Sequence, residues 1–160
     1  MIKGDDARNL KVLFATWAYS GYCPAAPAAV ASMTALLGVI VLRESWLVRG
    51  GFPLLILVVA AIGFSVAGQV ETMFGTKDSR RIVIDDVLGL LIAIYGFQLG
   101  NVDVLLGLWA LFRVIDNVKV FPLGLIERRL SGSAGIMLDD VVAGLYTNLL
   151  FRLGLAIFRS

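Results

Sequence analysis

Apolar residues run in long, almost unbroken stretches along this chain, and short polar segments separate them. A membrane-spanning helix needs about 20 mainly apolar residues. Five stretches approach that pattern: Ala25–Leu42, Phe52–Val70, Ile82–Leu99, Val102–Ile115 and Ile136–Phe158. Pro27 is tolerable in a first helical turn, and Val102–Ile115 is short and begins near Gly100. Lys11–Tyr19 is too short to cross and reads as an interfacial or re-entrant element. The pattern predicts an all-α, polytopic integral membrane bundle of about five spanning helices. No low-complexity linker interrupts it, so residues 1–160 form a single domain.

Composition agrees: 59% of the residues are hydrophobic and mean hydropathy is +0.87, above the usual apolar share of soluble domains. A net charge of +2 argues for no nucleic-acid partner. The partner is the membrane itself, and a homo-oligomer is left open. Cys23 is the single cysteine, so no internal disulfide forms. Met1–Leu10 is polar and carries Asp5 and Asp6, so no cleavable leader is expected.

If all five stretches span, the connections alternate sides. One side receives Lys3, Arg8, Lys11, Lys77, Arg80, Arg81, Arg113, Lys119, Arg128 and Arg129, ten basic residues. The other receives Arg43, Arg49, Arg152 and Arg159, four. The positive-inside rule places the first side in the cytoplasm, as in a bacterial-type inner membrane. Asp85-Asp86, Asp139-Asp140, Lys77-Asp78, Asp116 and the Gly21–Pro27 segment then share that face, which suggests one site.

The two aspartate pairs are the strongest chemical signal. Each opens an apolar stretch, and carboxylates kept beside hydrocarbon are commonly functional. Four of them close together repel one another, and a divalent cation removes the conflict. In the first turns of their helices they gain from free N–H groups and the positive dipole end. The bland alternative uses that same preference: aspartates are good helix caps at a wet interface. Gly89 and Ala143 follow Asp85 and Asp139 by four residues, so neighbouring helices can approach closely there. The chain has no histidine, which excludes phosphohistidine, Cys–His, Ser–His and His-ligated zinc chemistry. No nucleotide-binding phosphate loop is present. Carboxylate, Lys, Arg and metal chemistry remain, and hard oxygen donors suit Mg²⁺.

Several motifs, in order, resemble one family. They are Gly21-Tyr22-Cys23-Pro24-Ala25-Ala26-Pro27, Lys77-Asp78-Ser79-Arg80-Arg81 leading into Ile84-Asp85-Asp86-Val87-Leu88-Gly89, Phe112-Arg113-Val114-Ile115-Asp116-Asn117-Val118-Lys119, Glu127-Arg128-Arg129, and Gly135-Ile136-Met137-Leu138-Asp139-Asp140-Val141-Val142-Ala143-Gly144. Their order and spacing, from about Leu13 to Leu145, resemble phosphatidylglycerophosphatase A. The resemblance implies a Mg²⁺-dependent membrane phosphatase that converts phosphatidylglycerophosphate to phosphatidylglycerol and phosphate, with the phospholipid substrate held in the bilayer. There are departures. Ala28-Ala29 and Ala31-Ser32 stand where the family has Gly-Thr and Gly-Ser. Asp86 replaces a Glu, and Ser79 and Val120 replace prolines. These leave an altered substrate preference or a reduced activity open.

On this resemblance Asp85, Asp86, Asp139 and Asp140 hold the metal, with Asp78 and Asp116 as further ligands or base. Lys77, Arg113 and Lys119 bind the phosphate. Arg128 and Arg129 read better as lipid headgroup anchors. The competing function is a non-catalytic relative that binds divalent cations or lipid headgroups.

Overall fold

The computed structural model describes residues 4–43, 45, 50–76, 79–118 and 132–158. Among them are six α-helices and one 3₁₀ turn, and no strand: α1 Gly4–Ala15, the turn Ser20–Tyr22, α2 Pro27–Val41, α3 Phe52–Phe74, α4 Ile84–Ile94, α5 Val102–Val118 and α6 Ser133–Phe158. The all-α expectation holds.

Local chemistry sets most of the boundaries. Pro27 and Pro53 sit in the first turns of α2 and α3, where a missing N–H costs nothing. Gly75 closes α3 in the left-handed conformation at φ 66°, its N–H returning to the carbonyls of Glu71 and Thr72. Asn101 caps α5 by accepting the Val104 N–H at 3.3 Å.

Helix α4 is the centre of the molecule. Nine of its eleven residues are buried, and it packs most extensively against α6, with α2, α3 and α5 completing the ring around it. A helix that is apolar all round belongs in a core. Eleven residues rise only about 16 Å, roughly half of a bilayer's hydrocarbon thickness. The stretch Ile82–Leu99 is therefore not one continuous spanning helix: its helix stops at Ile94, and a turn with Gly96 at φ 78° follows. Two described helices, α3 and α6, are long and apolar enough to cross a membrane; α2 is apolar but only 15 residues long. The count of about five spans thus narrows to two on length and composition.

The two ends of the bundle differ in content. At one end Lys11 Nζ donates to Gln69 Oε1 at 2.8 Å, the Val83 N–H donates to the Ala15 carbonyl at 2.9 Å, and the Gly68 N–H donates to Ser133 Oγ at 2.8 Å. Among the described residues, these bonds gather α1, the connection between α3 and α4, and the start of α6. At the other end Arg43, Phe52 and Tyr95 line one cavity, and Arg152 reaches the Tyr95 carbonyl.

Candidate active site

The first turn of α4 presents Asp85 and Asp86, as the sequence suggested. Val83, the residue before the helix, offers no side-chain cap, and its N–H is bound to the Ala15 carbonyl. The second pair is placed differently from expectation. Helix α6 starts at Ser133, so Asp139 and Asp140 lie on its second turn rather than its first. Backbone N–H groups there already serve the helix, so helix-end donors do not explain these two carboxylates.

Helix packing brings the pairs together. Gly89 lies one turn beyond Asp85, and a Cβ built on it would stand 2.7 Å from the Asp140 carbonyl oxygen and from the Phe112 ring. A Cβ on Gly144 would collide with the Gly89 carbonyl. The α4 and α6 backbones therefore touch at these two glycines, as small residues allow. Directly beside that contact, one oxygen each from Asp85, Asp86 and Asp140 falls within 4.8 Å of the others. Asp86 and Asp140 are buried, at 6% and 4% exposure.

The three carboxylates have different partners. Asp86 Oδ1 accepts from Arg113 Nη1, and the same nitrogen lies 3.3 Å from Asp116 Oδ2. Arg113 is thus braced between α4 and its own helix α5. Asp139 Oδ1 accepts the Asp140 N–H at 3.1 Å, and Asp139 is outside the group of three converging oxygens. Asp85 Oδ1 is buried and accepts no hydrogen bond among the described residues. A buried, unpartnered carboxylate oxygen is costly to maintain.

Around this point Asp85, Asp86, Asp116, Asp139 and Asp140 face a single guanidinium, that of Arg113, among the described residues. The donors are all hard oxygens, the local charge is strongly negative, and one oxygen lacks a partner. That set is compatible with a divalent cation, which the converging oxygens of Asp85, Asp86 and Asp140 could hold. Lys77, Asp78, Lys119, Arg128 and Arg129 lie outside the described residues.

The segment before α2 is strained. Trp17, Ala18 and Tyr19 have φ of 44°, 53° and 66°, and Ala26 has 51°. Left-handed non-glycine residues cost about 1–3 kcal/mol each and persist where surroundings over-determine them. Buried Thr16 supplies that control: its Oγ1 donates to the Val12 carbonyl and accepts the Tyr19 N–H, and its carbonyl accepts from Gly21 and Ser20. Gly21 is needed because any side chain there would meet the Arg81 carbonyl. Cys23 turns its thiol to the Ala25 carbonyl at 3.3 Å, in keeping with a non-catalytic cysteine.

The profile of the phosphatidylglycerophosphatase A family matches residues 13–155. The chain belongs to that family. The phosphatidylglycerophosphatase A of Escherichia coli (strain K12) is 26% identical over 130 residues, covering 78% of this chain and 72% of that protein. A Bacteroides thetaiotaomicron protein, provisionally named a phosphatidylinositol-3-phosphatase, is 32% identical over 151 residues, 88% of this chain and 91% of its own. The Haemophilus influenzae phosphatidylglycerophosphatase A is 31% identical over 85 residues, 53% of this chain and 52% of that one. No solved structure matches.

Sequence reasoning missed Asn148 and Arg152. The Asn148 side-chain amide donates to the carbonyls of Ile92, Ala93 and Tyr95 at 3.2, 2.8 and 2.8 Å. Arg152 holds Asn148 Oδ1 at 2.8 Å, adds a bond to the Tyr95 carbonyl at 3.0 Å, and lies over the Phe97 ring. Together they close the C-terminal end of α4, whose last carbonyls have no helical partner. A lone Asn four residues before an Arg, in an otherwise apolar helix, was the available signal.

Proposed function

We propose that this protein is a membrane-embedded phosphomonoesterase that removes the terminal phosphate of phosphatidylglycerophosphate, leaving phosphatidylglycerol, with Mg²⁺ as cofactor. The observation that carries the reading is the convergence of Asp85, Asp86 and Asp140 from two helices around a carboxylate oxygen that has no hydrogen-bond partner among the described residues. Family membership supports the reaction class.

When bound, Mg²⁺ supplies charge neutralisation at phosphate oxygens and a more acidic bound water. Asp85, Asp86 and Asp140 are its holders in this reading, with Asp139 beside them. Arg113 uses one nitrogen for both Asp86 and Asp116. Its remaining N–H groups are left to meet phosphate oxygens and offset charge as the bond to the leaving oxygen breaks. Asp116 keeps Arg113 in place and is a candidate base. Lys77, Asp78 and Lys119 are assigned to phosphate binding and base or ligand roles on the family resemblance.

Embedding in a bilayer is supported by what α3 and α6 expose. Only 28% and 22% of their apolar windows are buried, whereas the core helix of a soluble protein is mostly covered. Leu54, Leu57 and Val58 on α3, and Leu145, Leu149, Leu153 and Ile157 on α6, face outward. The sequence's excess of basic residues on the connections that flank the aspartate pairs favours the cytoplasmic face of a bacterial-type inner membrane. Helices α3 and α6 then cross the bilayer, and the short α4 is carried between them.

The test is phosphate release from phosphatidylglycerophosphate by purified protein. Release should require Mg²⁺, stop on chelation and return on its addition. Release that persists in excess chelator overturns the carboxylate–metal reading, and no release with Mg²⁺ present favours a non-catalytic relative. A second substrate deserves a parallel assay, because the Bacteroides relative carries a phosphoinositide phosphatase name. Faster release from phosphatidylinositol 3-phosphate would move the assignment to that lipid.

A further inference from the structure

Besides the acidic cluster, the same end of the bundle holds a cavity of about 410 Å³ that the reaction described above does not use. Arg8 of α1, Tyr19 and Tyr22 of the strained segment, and Phe74 at the end of α3 line it. The Arg81 guanidinium lies over the rings of Tyr22 and Phe74, at 5.0 and 5.7 Å from their centroids. Among the described residues neither Arg8 nor Arg81 is paired with a carboxylate. That contrasts with Arg113, which is held by two.

Chain connectivity ties this cavity to the acidic cluster, through the arginine that covers two of its aromatic walls. Arg81 precedes Asp85 by four residues in the connection that leads into α4. Its carbonyl rests on Gly21, and two residues later the Val83 N–H is bound to Ala15. The three consecutive left-handed residues at Trp17–Tyr19 carry Tyr19 to the cavity wall. Strain held in place by a buried threonine network is a mark of a segment shaped for a task.

A lipid phosphomonoester of the proposed kind carries two phosphates. The terminal one is cleaved. The inner phosphodiester, which joins the polyol to the diacylglycerol, keeps one negative charge throughout. While the terminal phosphate occupies the cation held by the acidic cluster, the diester needs a cationic partner of its own. Two guanidinium groups suit such an anion, and aromatic faces suit the C–H surface of a polyol. The volume is in the range of small-ligand sites.

We propose that Arg8, Arg81, Tyr19, Tyr22 and Phe74 form a headgroup subsite that binds the inner phosphodiester and its polyol, so that the terminal phosphate is presented to Asp85, Asp86 and Asp140. This rests on the phosphatase reading for its purpose, but its binding can be measured apart from turnover. The alternative is an ordinary interfacial belt of aromatic and basic anchors, which would hold bilayers and not a free headgroup.

The probe is glycerophosphoglycerol, which has the diester and the polyol but neither acyl chains nor a terminal phosphate. Calorimetric titration into detergent-solubilised full-length protein in excess chelator should show binding. Arg8→Gln with Arg81→Gln should weaken it at least tenfold. Arg8 is exposed on α1, so Arg8→Gln alone, expected to cost about threefold or more, keeps the test open if the double variant does not fold. No binding by the unsubstituted protein, an unchanged affinity in the variants, or equally tight binding of glycerophosphocholine overturns the subsite. Binding without any phosphate release from the lipid leaves the subsite standing and removes the phosphatase reading. Release without headgroup binding does the reverse.

Discussion

Asp→Asn substitution separates a ligand from a cap, because asparagine caps a helix as well as aspartate does but lacks the charge a cation needs. Asp85→Asn and Asp140→Asn should each lower turnover by at least ~100-fold, on the scale of losing a main electrostatic stabiliser. Asp139→Asn should cost less than Asp140→Asn, since Asp139 stands outside the three converging oxygens. Steady-state phosphate release at saturating Mg²⁺ checks the order, and equal losses at positions 139 and 140 would contradict it. Cys23→Ala should leave turnover within about twofold, because no base activates that thiol. The residue identities of this site were readable from sequence, since aspartates facing hydrocarbon stand out. The division of labour within the second pair was not, because it depends on where α6 begins: the apolar run starts only at Ile136, whereas the helix already starts at Ser133, after Gly132. The pairing of Arg113 with Asp86 and Asp116 was equally hidden: sequence supplies the charges, and only packing shows that the arginine is already engaged.

Between elements, the contact of α4 with α6 controls the site. Gly89→Ala introduces a methyl group against the Asp140 carbonyl and the Phe112 ring at 2.7 Å, an overpacking that costs about 1–3 kcal/mol. It should lower the thermal midpoint in detergent and weaken apparent Mg²⁺ affinity together, because the clash pushes Asp140 away from Asp85. Asn148→Leu keeps the volume and removes the donor to three carbonyls. Leaving the part-buried Ile92 and Ala93 carbonyls without this donor costs up to about 1–3 kcal/mol, so the thermal midpoint should fall. An unchanged midpoint would mean that Arg152 or water closes that end unaided. The outlines of α2, α3, α5 and α6 followed from hydrophobic runs and from the proline, glycine and asparagine signals at their ends. The length of α4 did not. Apolar residues continue past Ile94 through Tyr95 and Phe97, so composition sees no stop. What ends the helix there, a glycine at positive φ and side chains arriving from more than fifty positions away, is information that no local window holds.

For the whole molecule, sidedness is the testable quantity. In a Cys23→Ala background, single cysteines at Thr76 and Asn117 should be labelled from the cytoplasmic face, and cysteines at Gln98 and Asn101 from the opposite one. Labelling of Thr76 and Asn117 from different faces would break the one-site arrangement, and labelling of both from outside would invert the orientation drawn from charge. The fold's brevity at its centre also bears on how such a chain is made. A segment of eleven residues is a poor substrate for lateral release from a translocation channel, whereas α3 and α6 are good ones. The peptide that bears Asp85 and Asp86 therefore has to wait for its neighbours, and the last of them to be synthesised, α6, brings both the third carboxylate and the amide that closes the short helix. The cluster of three carboxylates is thus incomplete until α6 has been made, and a product that stops before Ser133 lacks both Asp140 and Asn148.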